Sequence, residues 1–118
     1  MSTPLIAPEA IEALRAVSPD DGGKFLTELI DIFLADTPAR LTELATATTS
    51  GDTKTATRAA HSIKGSAGNF GATTLAQLAL EVEHAAKGGH LDEVRAKTPE
   101  LEKAAAEVCA ALSALRTP

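Results

Sequence analysis

Tryptophan and tyrosine are missing from this sequence, and phenylalanine occurs only three times. The interior must therefore be built from Leu, Ile, Val and Ala, a composition that favours helices because Ala and Leu stand at the top of helix propensity. Cysteine occurs once, as Cys109, which excludes an intramolecular disulfide. Set among Val108, Ala110, Ala111 and Leu112, it reads as a small buried hydrophobe. No stretch approaches the ~20 apolar residues of a membrane span. Met1 to Ala10 has neither the basic start nor the apolar run of a signal peptide. Positive charge is also short: the formal net charge is -5. That argues against nucleic-acid binding, which calls for clustered Lys and Arg, and against an anionic membrane surface. The expectation is a soluble cytoplasmic protein.

What is present is helical periodicity divided by Gly and Pro. A length of 118 residues fits a single domain over 1–118. Pro8 suits the first turn of a short helix, with Ile11, Leu14 and Ala7 on its apolar side. Ser18 to Gly23 reads as a break. Apolar residues spaced by three and four then predict a helix from about Lys24 to Thr48. Pro38 interrupts it, by a kink rather than a division, because the periodicity continues on both sides. Ser50-Gly51-Asp52 stops that helix, and Asp52 can cap the next, from about Thr53 to Asn69. A further helix follows from about Thr73 to Lys87, with Thr73 or Thr74 as its cap, and a last one runs from near Leu91 to about Leu115 with Pro99 inside it. No segment carries a strand pattern. Short turns between long amphipathic helices predict an all-α fold: an antiparallel up-down-up-down four-helix bundle with a short extra N-terminal helix.

One segment carries chemistry. On the helix over 53–69, Ala56, Ala60, Ile63, Ala67 and Phe70 fall on a core-facing side, while His61, Lys64, Gly65 and Gly68 share another at steps of three and four. His61 should therefore point outward. Each helical Gly costs about 0.5–1 kcal/mol relative to Ala, so the Gly pair needs a reason: close helix packing, or room for something large to approach the imidazole. A lone surface histidine has no function by default. An outward imidazole with an ammonium beside it and a bare surface one and two turns on suits a nucleophile that takes a phosphoryl group from a docked macromolecule. No nucleotide loop and no Mg²⁺ site accompanies it.

The run His61-Ser62-Ile63-Lys64-Gly65-Ser66-Ala67 with Gly71 resembles the signature of histidine-containing phosphotransfer (HPt) domains: a histidine, any residue, an aliphatic, Lys-Gly, two small residues and a later Gly. The resemblance extends over most of the chain. Phe25-Leu26 through Pro38 is similar to the family's long second helix, Gly51-Asp52 to the turn before the histidine helix, and Leu75 through Glu83 to the helix beside it. Gly68 and Asn69 depart from the Ala or Ser of many members. The resemblance implies that His61 is the phosphoacceptor, reacting through Nε2, and that Lys64 contacts the phosphoryl oxygens. It also implies that Gly65, with Ser66 as a small neighbour, leaves room for the partner. Glu83 stands where the family often carries Gln or Glu, and implies an acceptor for the imidazole Nδ1–H; otherwise it is a solvated charge.

The same resemblance implies a phosphocarrier in a His–Asp phosphorelay rather than an enzyme. It has no cofactor of its own, and Mg²⁺ is supplied by the partner. The partners are response-regulator receiver domains and a sensor or hybrid histidine kinase, and a monomer suffices. Gly68 and Arg58, one turn before His61, are candidates for partner contact, Arg58 being equally a surface charge without a role. His84 and His90 match no metal-site spacing. The competing expectation is a helical scaffold that keeps the fold and binds partners without phosphotransfer.

Overall fold

The computed structural model describes residues 5–116 as five helices, with no strand among the described residues. They are α1 (Pro8–Arg15), α2 (Lys24–Ser50), α3 (Thr53–Asn69), α4 (Thr73–Lys87) and α5 (Leu91–Ser113). α3 packs against α2 and α4, α5 closes on α4 and α2, and α1 lies on α2.

Local chemistry sets the boundaries. The Asp21 carboxylate accepts from the N–H groups of Gly23, Lys24 and Phe25, meeting the orphan donors that open α2. α2 runs through Pro38 as one helix and ends on Gly51, whose φ of 80° suits a residue without a Cβ. Asp52 then caps α3, accepting from the Thr55 N–H at 3.1 Å and from its hydroxyl at 2.7 Å. The start of α4 differs from the threonine cap that the sequence suggests. Ala72 holds the cap position with no side-chain hydrogen bond, and Thr73 is already the first helical residue. Ala72 is fully buried, so packing of the turn overrides capping there. α5 contains Pro99 and ends two residues short of Leu115.

The core is aliphatic and continuous, with Ile30, Leu44, Ile63, Leu75, Val82, Val94, Leu101 and Leu112 at or near zero exposure. Within it Phe33 of α2 lies edge-on to Phe70 at 5.5 Å. α3 contributes mostly small residues, Ala56, Ala59, Ala60 and Ala67, all fully buried, so α3 lies close to both neighbours. Cys109 is only partly buried rather than enclosed, and burial pushes its thiol up from the ordinary value.

The turn after α3 anchors the N-terminal segment. Ala7 N–H donates to the Phe70 carbonyl at 3.0 Å, and Gly71 beside it has a φ of 63°. A Cβ on Gly71 would lie 2.3 Å from the Ala7 Cβ. Gly71→Ala therefore combines a left-handed backbone, which costs about 1–2 kcal/mol, with a steric collision. The expected loss is about 2 kcal/mol or more in urea denaturation, with the contact between α1 and the α3–α4 turn lost first; an unchanged midpoint would refute it.

Candidate functional site

The buried Ala59-Ala60 pair fixes the rotation of α3, and with it the direction of the next residue. His61 follows that pair and turns outward, its side chain 65% exposed. Lys64 stands one turn on and is half-buried, and Gly65 and Gly68 continue the same exposed strip. A Cβ built on either glycine meets nothing within 4 Å. Close helix packing therefore explains neither glycine, and the strip they leave is open to solvent. Ser66 lies half-buried beside it, off the exposed line.

α4 brings the second half of the site. Glu83 Oε2 lies 2.9 Å from His61 Nδ1, and Glu83 Oε1 lies 2.8 Å from Lys64 Nζ. One carboxylate thus bridges the imidazole and the ammonium. Its side chain is only 15% exposed, so it is not a solvated charge. Burial pushes the Glu83 carboxyl up, but hydrogen bonds from Lys64 and His61, with their charges, outweigh it and hold the group below the usual carboxylate range. Glu83 is then ionised at neutral pH and accepts only, so the proton of the contact sits on Nδ1. The Nε2 lone pair is left free on the exposed edge of the ring.

The sign of the pH effect follows from the lowered carboxyl. The bridge contributes stability fully above the ordinary glutamate value of about 4.3 and loses it as pH falls through the lower folded value. Wild type is expected to exceed Glu83→Gln in denaturation midpoint between pH 5 and 7, with the gap closing below about pH 4. A gap independent of pH would show that the carboxylate charge contributes nothing.

The site opens into a groove of about 680 Å³ lined by Thr53, Lys54, Thr57, Arg58, His61, Glu83 and Lys87. Arg58 thus stands with His61, whereas Gly65, Ser66 and Gly68 lie toward the other end of α3, outside the groove lining. Lys54 and Lys87 were not singled out by the sequence, although the signal exists. Lys54 precedes His61 by seven residues and Lys87 follows Glu83 by four, spacings that share a helix face. His84 and His90 are exposed, His90 at the N-cap position of α5 without a side-chain cap bond. Among the described residues no group of three or more His, Cys, Asp or Glu is placed to hold a metal ion, and no helix is long and apolar enough to cross a membrane.

The chain is similar to a solved structure, histidine-containing phosphotransfer protein B from Pseudomonas aeruginosa PAO1. The TM-score is 0.86 and the identity 30%, over 98% of this chain and 96% of that one. No curated protein sequence matches. The family model described as Hpt domain matches residues 28–117, a span that takes in the whole of α3 and α4 with His61, Lys64 and Glu83. With well over half its length matched by that model, and with a full-length structural likeness to a histidine-containing phosphotransfer protein, the chain belongs to the Hpt domain family.

Proposed function

We propose that His61 is the residue that carries the phosphoryl group in the histidine phosphotransfer of a two-component phosphorelay. The observation that carries this reading is the Glu83 bridge: an ionised carboxylate on Nδ1 leaves Nε2 as the free nucleophile on an exposed edge. Nε2 attacks the phosphorus of an aspartyl phosphate on a receiver domain, the N–P bond forms, the P–O bond breaks, and the aspartate leaves as carboxylate. The phosphorylated ring keeps its Nδ1–H, so it is cationic, and Glu83 offsets that charge at 2.9 Å. Lys64 has three donors. It shares them between Glu83 and the phosphoryl oxygens, where charge accumulates in the transition state. Transfer onward is the same path reversed.

The protein acts as a phosphocarrier rather than an enzyme, as one Hpt domain on an antiparallel up-down-up-down four-helix bundle with an added N-terminal helix. Among the described residues Glu83 is the one carboxylate lining the groove, and its oxygens already face His61 and Lys64. That supports a reading in which the receiver supplies the Mg²⁺ of the reaction. A response-regulator receiver and a sensor or hybrid histidine kinase are the partners, met in the cytoplasm by a monomer, with Gly65, Ser66 and Gly68 giving the receiver its closest approach. Incubation with a receiver domain carrying radiolabelled phosphate and Mg²⁺ tests the reading. The expected product is an acid-labile, base-stable adduct on this chain; no label from any receiver that binds it overturns the reading.

A further inference from the structure

The groove beside His61 carries more positive charge than its surroundings explain. Lys54 and Arg58 of α3 and Lys87 of α4 are all exposed along it. None of the three makes an ion pair among the described residues. Arg58 lies near enough to Asp52 to help lower its carboxyl, but that carboxylate is engaged mainly by Thr55. Glu83, the remaining charge in the lining, is matched by Lys64. A cationic wall therefore stands at one end of the nucleophile in a chain whose formal net charge is -5. At the other end are Gly65 and Gly68, with no side chain and open space. Among the described residues the large apolar side chains that stand exposed, Leu5, Val17 and Ile32, lie on neither α3 nor α4.

We propose that the Lys54–Arg58–Lys87 wall is an electrostatic docking site for acidic side chains of the receiver domain beside its phosphoaspartate, and that it fixes which way round the receiver sits on α3. The acidic side of the receiver lies toward the start of α3, and its closest backbone approach lies over Gly65 and Gly68. The proposal rests on the reading of His61 as phosphoacceptor. A chain of net charge -5 repels carboxylates at long range, and a local cationic groove at the reacting atom offsets that repulsion on one face. Complementary charge of this kind raises association rates by about 10- to 1000-fold and is screened by salt. Its energetic signature is in the rate of encounter rather than in the chemical step.

The test measures second-order labelling of the protein by a receiver domain phosphorylated with acetyl phosphate and Mg²⁺, against labelling by phosphoramidate, a small donor that needs no docking. Wild type is compared with a Lys54→Glu/Arg58→Glu/Lys87→Glu variant and with Lys103→Glu on α5, which lies outside the groove lining. The ratio of receiver-driven to phosphoramidate-driven labelling is expected to fall at least tenfold in the triple variant at low salt. Wild type should slow steeply with added NaCl, the triple variant should lose that slope, and Lys103→Glu should follow wild type. A triple variant that keeps the wild-type ratio and salt slope overturns the docking proposal while leaving His61 as phosphoacceptor. A wild type labelled by neither donor overturns the phosphoacceptor reading, and the docking proposal falls with it.

Discussion

Replacing His61 with Gln is expected to abolish the acid-labile phosphoryl adduct while leaving the fold and receiver binding in place. An amide nitrogen has its lone pair delocalised into the carbonyl and does not attack phosphorus, so the loss should be complete rather than partial. The structural cost is small because the His61 side chain is 65% exposed and no core contact depends on it. The introduced amide can still donate toward Glu83. A change within about 0.5 kcal/mol is expected, as for surface substitutions generally. Denaturation and circular dichroism check the fold, and calorimetric titration with the receiver checks binding. Label that survives in His61→Gln would move the phosphoacceptor to His84 or His90, both exposed. A wild type that binds receivers and never takes label would leave a scaffold with the fold but without the chemistry.

Much of this site was legible in the sequence because one helix carries most of it. A step of three or four along a helix fixes a face, so the sequence alone sets His61, Lys64, Gly65 and Gly68 opposite Ala60, Ile63 and Ala67. The boundaries were legible for a similar reason. Gly51 and Asp52 act through backbone conformation and a local hydrogen bond, and both depend on nearest neighbours alone. What was not legible depends on register between helices. Lys64 and Glu83 are nineteen positions apart, and that they meet at 2.8 Å follows from how α3 and α4 slide against each other. The cationic groove is missed for the same reason, since Lys54 and Lys87 stand at opposite ends of the α3–α4 hairpin in sequence and share one wall in space. The cap of α4 failed differently. A threonine at the right place lost to the burial of Ala72, a tertiary demand that a local rule does not contain.

Gly65→Gln is expected to slow transfer from a receiver by about 100-fold in a protein at least as stable as wild type. Nothing among the described residues calls for glycine at this position. It sits within α3, not at a left-handed turn, and an added Cβ would meet no atom within 4 Å. Replacing a helical Gly by a good helix former is worth about 0.5–1 kcal/mol, so the stability lost to Gly65 must be offset by something outside the chain. Long side chains on a helix point back over the turn that precedes them. A Gln at this position would therefore lie toward His61, one turn earlier, and hold a receiver away from Nε2. Displacing reacting groups by as little as 1 Å costs about 100-fold. Gly65→Ala, whose methyl group reaches no further than its own Cβ, should gain the stability with a much smaller loss of rate. Labelling by phosphoramidate should fall far less in Gly65→Gln than labelling by the receiver, because a small donor can pass the side chain. If Gly65→Gln takes phosphate from the receiver at the wild-type rate, the receiver does not approach over this strip, and the bare surface of α3 needs another explanation.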